Sequence, residues 1–174
     1  MELRGVYVRE AHESDAQAIC EVTHSAFTRY QQELGQSGKV AALRETADDV
    51  LRDIRQKRVL VGLLDGRVIG SVRYELLPGE GGAVAYLSRF GVLSDYQGSG
   101  MGGILIRRVE EECRAQGAKA IALHTSSRMT YLVCFYYRNG YFIHSTSDAR
   151  GYIRALLVRE LDCGYYDLAP VIGK

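Results

Sequence analysis

Two spacings of hydrophobic residues alternate along the chain, one of two residues and one of about 3.6, and each switch between them marks an element boundary. Residues 6–9 predict a short strand, and Ser14-Asp15-Ala16-Gln17 predicts a capping box opening a helix with Ile19, Val22, Ala26, Phe27 and Tyr30 on one face. Gly35-Gln36-Ser37-Gly38 interrupts the pattern. Val40, Leu43, Ala47, Val50, Leu51 and Ile54 then recur at three- and four-residue spacing and predict a second helix. Residues 58–64 and 67–76 are β-rich runs joined by Asp65-Gly66, a pair that favours a type I′ turn and an antiparallel hairpin. After a loop at Gly79 to Gly82, residues 83–92 predict a fourth strand leading towards a glycine cluster.

From Gly100 onward Met101, Ile104, Leu105, Val109 and Cys113 form a helical stripe that Gly117 ends. Residues 119–125 predict a strand, 128–139 a short helix stopped by Gly140, and 141–147 and 152–161 the last two strands, while 162–174 shows no pattern. The order β-α-α-β-β-β-α-β-α-β-β mixes a hairpin with strand-helix-strand crossovers. It predicts an α/β fold, with a central mixed, mostly antiparallel sheet flanked by helices on both faces and ligands taken at strand carboxyl ends. At 174 residues, without a Pro-rich linker or repeat, the chain reads as one domain over 1–174.

Charge and cysteines narrow the chemistry. Lys and Arg number 22 against 21 Asp and Glu, so no global field recruits nucleic acid or an anionic membrane, and an anionic ligand must be caught locally. Cys20, Cys113, Cys134 and Cys163 show neither metal-ligand spacing nor the density of a disulfide scaffold, so neither metal nor disulfide is expected. With no apolar leader and no apolar run of about 18 residues, the chain is expected to be soluble and cytoplasmic.

The glycine cluster supplies the local anion site. Glycines 98, 100, 102 and 103 leave bare backbone at a helix start, where N–H groups converge and the helix dipole is positive. Gly98-Ser99-Gly100-Met101-Gly102-Gly103 also spells the dinucleotide fingerprint G-x-G-x-x-G. That motif requires a tight strand-to-glycine turn and an acidic residue about 20 positions later at a strand end. Here Leu93 to Gln97 intervene and the next strand ends in Leu123-His124-Thr125. A phosphate-binding P-loop fails as well, for no Gly-Lys-Ser/Thr follows.

Gln97-Gly98-Ser99-Gly100-Met101-Gly102 resembles the Q/R-x-x-G-x-G/A signature of the GNAT acetyltransferases, and the aromatic helix end Phe135-Tyr136-Tyr137-Arg138-Asn139-Gly140-Tyr141-Phe142 resembles that family's second signature. The resemblance implies a GNAT-like acyl-CoA N-acyltransferase fold and acetyl-CoA as co-substrate. It implies that Phe90, Gly91 and Val92 hold the pantetheine arm and acyl carbonyl, and that Gln97, Gly98, Ser99, Gly100, Met101, Gly102 and Gly103 hold the pyrophosphate. Ser94 and Ser99 stand where members often carry a proline and a basic residue. By the same resemblance Tyr136 is the acid that protonates the departing thiolate, Tyr137 being the adjacent alternative, and the oxyanion meets the N–H of Val92. Gly91 suits a strand irregularity there.

For the base, His124 shares a strand face with Ala120, Ala122 and Ser126 and carries a group that titrates near neutrality; a histidine merely bonded to backbone fits equally, and Tyr86, Glu33 or water are substitutes. Cys134 reads as a buried structural thiol rather than a nucleophile. The expected reaction is direct acetyl transfer to a primary amine, borne by a small molecule or peptide, in a ternary complex. A non-catalytic acyl-CoA-binding domain and, more distantly, a nicotinamide-dependent oxidoreductase are the other readings. Phe27, Tyr30, Glu33 and Tyr152 could cradle a cationic amine or simply pack and solvate. A homodimer is compatible with the sequence, which names no acceptor.

Overall fold

The runs of period two become strands: β1 (Val6–Glu10), β2 (Arg58–Leu64), β3 (Arg67–Leu77), β4 (Val84–Val92), β5 (Ala120–Ser126), β6 (Phe142–Ser147) and β7 (Arg154–Glu160). The stretches of helical period become α1 (Ala16–Leu34), α2 (Ala47–Gln56), α3 (Met101–Ala115) and α4 (Thr130–Arg138), and a short α5 (Ala169–Ile172) lies in the tail where the pattern predicted none. The structure, a computed structural model, describes residues 5–35 and 40–174. The break expected at Gln36, Ser37 and Gly38 therefore lies outside the described residues. The seven strands form one sheet in the order β1-β2-β3-β4-β5-β7-β6, parallel between β4 and β5 and antiparallel between β1 and β2, β2 and β3, β5 and β7, and β6 and β7. This is the mixed, mostly antiparallel sheet with flanking helices that the element order predicts. Among the described residues no helix is long and apolar enough to cross a membrane.

Two local expectations need correction. The first helix is capped at its entrance by His12 and Asp15, whose carboxylate accepts from the His12 N–H at 2.7 Å, and not by a box starting at Ser14. Asp15 is held there by the guanidinium of Arg9 at 2.6 Å, a partner on β1 that lies outside the capping motif. The second helix is split. Ala41–Arg44 makes a single 3-10 turn, and α2 begins only after Thr46, whose hydroxyl accepts from the Asp49 N–H while the Asp49 carboxylate accepts from the Thr46 N–H. The apolar spacing runs across the split because both pieces turn their apolar side inward. By contrast Asp65 and Gly66 take φ of 49° and 82°, the two positive values of a type I′ turn.

Two compact units make up the chain, one of Met1–Gln32, Val40–Tyr74 and Arg89–Arg108, the other of Glu33–Lys39, Glu75–Ser88 and Val109–Lys174. In the first, alternate residues of β2 serve opposite faces. Val59, Val61 and Leu63 join Ile19, Cys20 and Val50 of α1 and α2 in one buried cluster. On the other face Gly62 and Gly70 are bare: a Cβ on Gly62 would collide with Met101 Sδ, and one on Gly70 would lie 2.9 Å from Leu105 Cδ1. The start of α3 thus seats Met101, which is 0% exposed, directly on the strands.

A buried ion cluster ties the same unit together. Arg73 of β3, its side chain 0% exposed, donates to both carboxylate oxygens of Glu45 at 2.7 Å and to Asp53 of α2 at 2.6 Å. Burial works against its charge, but the bonds and attraction of Glu45 and Asp53 outweigh it and raise its pKa. The second unit has its own core, in which Val84, Ala120, Ala122, Leu156 and Val158 of the strands bury Leu168 and Val171 from the tail. These two apolar residues are what fold α5.

Arg73→Met leaves the Glu45 carboxylate buried with only Arg89 beside it, and the expected loss of unfolding free energy is about 3 kcal/mol. The measurement is a urea titration, in which the midpoint falls at unchanged slope. A shift below about 1 kcal/mol would show the cluster to be worth no more than a surface pair.

Candidate functional site

All ten cofactor-binding candidates fall in the first unit, on the end of β4, the loop that follows it and the first turn of α3. Leu93 returns to β3 by donating its N–H to the Ile69 carbonyl at 2.8 Å, and residues Ser94–Tyr96 make a 3-10 turn before the glycines. Gln97 is fixed at both ends of its amide: Nε2 donates to the Val92 carbonyl at 3.4 Å, and Oε1 accepts from Arg29 at 2.7 Å. Gly98 and Gly100 take φ of 81° and 95°, the left-handed region that only glycine enters freely, and no heavy atom lies within 4 Å of where their Cβ atoms would stand. Backbone conformation, not crowding, requires glycine at these two positions, and the loop surface over them is open.

The first helical bond of α3 runs from the Ile104 N–H to the Gly100 carbonyl at 3.2 Å, so the amides of Met101, Gly102 and Gly103 precede the ladder. The Met101 N–H meets the Ser99 hydroxyl at 3.4 Å. This first turn fits an anion, with uncommitted N–H groups at the positive end of a 15-residue helix. Ser99 brings no charge, but Arg107 Nη1 lies 3.4 Å from the place a Cβ on Gly103 would occupy. A guanidinium therefore stands beside the cradle. Arg107 and Arg29 were not among the expected site residues; their signal is their position, one turn beyond Gly103 and on the exposed face of α1. Met101 itself has its side chain in the core, so only its backbone can face a ligand.

The strand irregularity is real but sits elsewhere than expected. Arg89, not Gly91, has a positive φ, 50°. Gly91 instead answers to crowding, because a Cβ there would lie 2.8 Å from the Ala26 methyl of α1.

In the second unit Tyr136 is 4% exposed and packs edge-on against Phe135 and Tyr141, at ring separations of 5.3 and 5.4 Å. Its neighbour Tyr137 is 50% exposed and its hydroxyl accepts from the Ile143 N–H at 3.3 Å, as expected of adjacent helical positions that point about 100° apart. Cys134 is exposed, which corrects the expectation of a buried thiol: the apolar side of α4 is taken by its aromatics, and Cys134 falls on the other side. All four cysteines are free.

His124 is half-buried, and its Nδ1 lies 2.9 Å from the Tyr86 hydroxyl. Burial first, then the charges of Arg154 and Arg150, lower its pKa to about 4. The ring is therefore neutral through the physiological range. If Nδ1–H donates to Tyr86, Nε2 keeps a lone pair able to accept a proton; the opposite tautomer would not. Beside this pair Lys174 Nζ lies 5.9 Å from the centre of the Tyr86 ring and 2.7 Å from the Glu75 carboxylate. Of the aromatics suggested for an amine cradle, Tyr30 is 8% exposed and packs at a tilt against Phe27, the ring centres 5.8 Å apart, so it belongs to packing.

A mixed seven-stranded sheet, with a glycine-lined helix start following the fourth strand, defines an α/β protein. Comparison with known proteins makes that class specific. The model of the acetyltransferase (GNAT) family matches residues 21–141, and the chain belongs to that family. Acetyl-CoA as co-substrate fits the family, and membership supports acyl-CoA-dependent acetyl transfer in general. The PaiA N-acetyltransferase of Thermoplasma acidophilum, solved with coenzyme A, is 17% identical at a TM-score of 0.75, over 89% of this chain and 98% of that one. YncA of Salmonella typhimurium, solved with acetyl-CoA, is 18% identical at 0.72, over 90% and 94%. A GNAT-family acetyltransferase of Streptococcus agalactiae is 13% identical at 0.74, over 92% and 98%. At such identities the likeness is one of fold. No curated protein matches the sequence.

For His124 the folded pKa lies below the unfolded value of 6.5, so the unfolded chain binds a proton first as pH falls. Its contribution to stability is complete above pH 6.5 and is lost progressively down to about pH 4. Nuclear magnetic resonance of the His124 ring should show a midpoint near 4, and Arg154→Gln should move it upward. A midpoint at the ordinary value would mean that the ring is not held neutral.

Proposed function

We propose that this chain, as one N-acetyltransferase domain over 1–174, moves the acetyl group of acetyl-CoA directly to a primary amine while both are bound. The observation that carries the reading is the open, glycine-lined first turn of α3, whose free amides suit a pyrophosphate. Gly98, Ser99, Gly100, Met101, Gly102 and Gly103 hold it by backbone, with Gln97 bracing the loop against Val92 and Arg107 adding charge. Phe90, Gly91 and Val92 take the pantetheine arm and acyl carbonyl, because backbone N–H and C=O groups at a strand end pair with the arm's amides.

In the reaction the amine nitrogen forms a bond to the thioester carbon, whose oxygen gains negative charge and meets the N–H of Val92. Collapse breaks the C–S bond, and the Tyr136 phenol gives its proton to the thiolate of coenzyme A. The amine's proton goes to Nε2 of His124, with Nδ1–H bonded to Tyr86. A neutral ring has its lone pair available at every physiological pH, whereas its low pKa makes it a weak base, suited to take the proton once attack has made the nitrogen acidic. The acceptor is a small molecule or peptide amine.

Two experiments test this. Calorimetric titration with acetyl-CoA should show saturable binding and NADH none; binding of NADH alone would promote the dinucleotide reading. Screening amines for thiol release should then find turnover, and Tyr136→Phe should lower kcat at least tenfold with acetyl-CoA affinity changed less than about threefold. Acetyl-CoA binding without thiol release for any amine would instead make this an acyl-CoA-binding protein, and wild-type turnover in the Phe variant would remove Tyr136 from the role of acid.

A further inference from the structure

Arg89 occupies a conformation that its own chemistry does not favour. An L-residue with a Cβ pays in steric repulsion at φ of 50°, and Arg, unlike Asn or Asp, has no short polar group to offset it. Such a residue persists only where its surroundings over-determine it. In the first unit they do so through its side chain: Arg89 Nε donates to Glu45 Oε1 at 3.2 Å. Glu45 is itself immobile. Both of its carboxylate oxygens are held by the buried Arg73, and its carbonyl oxygen meets His24 Nε2 at 2.8 Å and accepts from the Cys20 thiol at 3.4 Å, so α1 and β3 fix it from two sides. The residue after it, Thr46, caps α2.

The geometry points to Glu45 and Arg89 as positioning residues for the acyl-carrying stretch of β4. Glu45, anchored on Arg73, grips Arg89 by its guanidinium and keeps the backbone at 89 left-handed, which turns the peptide groups of Phe90, Gly91 and Val92 out of regular strand alignment. On the far side of that stretch Leu93 is pinned to Ile69, and Gly91 is packed against Ala26, so the irregularity is confined to a few residues. A left-handed residue inside a strand re-aims the peptide groups that follow it, and an amide-rich ligand needs backbone N–H and C=O groups aimed at it. This inference rests on the reading of Phe90 to Val92 as the acyl-CoA strand.

Because the Arg89 side chain is partly exposed, two variants at that position separate grip from fold. Arg89→Ala removes the guanidinium and retains a Cβ, so the segment relaxes towards a regular strand. Arg89→Gly removes the guanidinium too, yet enters the left-handed region without penalty. The expected result is a KM for acetyl-CoA raised at least tenfold in R89A, with most of that loss recovered in R89G, at similar melting temperatures. Amide chemical shifts of Gly91 and Val92 in the ligand-free protein should move in R89A and return in R89G. Equal impairment of both variants would mean that the guanidinium binds ligand itself, and wild-type behaviour of R89A would mean that the grip is idle; either overturns the inference. If the wild-type protein binds no acetyl-CoA, the proposed function falls, and the amide shifts alone decide whether the grip exists.

Discussion

The start of helix α3 can lie against β2 and β3 only because Gly62 and Gly70 offer it no side chains. That close approach lets Met101, the first residue of the helix, drop into the core, and it fixes where the helix begins. The position of the first turn, and with it the direction in which the amides of Gly102 and Gly103 point, follows from packing on β2 and β3 rather than from the loop that precedes it. The glycines of the loop have a separate task. Gly98 and Gly100 supply backbone angles, and the space around them is empty. One pair of glycines therefore makes room for protein, and the other makes a path for the chain.

Charge organises the remainder of that unit. Arg73 sits on the strand face opposite the one covered by α3, where an isolated cation would not be tolerated, and its two carboxylate partners come from Glu45 and from Asp53 of α2. Bidentate geometry is what a guanidinium offers and an ammonium does not, so Lys would not replace it. The cluster joins elements distant in sequence, which is why no local pattern announces it. Elsewhere apolar packing governs, as in the second unit, where the tail is ordered by two residues, Leu168 and Val171.

Most of the architecture was legible because period and punctuation agree. Asp65-Gly66, Gly117 and Gly140 each sit where a positive φ closes an element, and the strands and helices between them follow with their ends moved by one or two residues. The errors share a cause. His12 caps the first helix because Arg9 steers Asp15, Arg89 is irregular where Gly91 looked the better candidate, and the tail helix is too short to show a period. Each depends on contacts outside the motif that suggested the reading, and a motif read on its own does not contain them. For the site, the glycine cluster and the aromatic helix were readable as residue types at a spacing. The neutrality of His124 was not, since it arises from burial and from Arg154 and Arg150, which lie well beyond its own strand.

The seating of Met101 also bears on how a bound ligand would be felt by the molecule as a whole. A site carried on a loose loop can open and close while the rest of the protein stays folded. Here the residue that begins the first turn is also part of the core, so the turn cannot come apart without disturbing that core. Occupancy of the cradle is coupled to unfolding of the surrounding unit, and saturation at a hundredfold excess over Kd would add about 2.7 kcal/mol to its stability. A melting curve recorded with and without ligand thus becomes a gauge of binding that requires no knowledge of the acceptor.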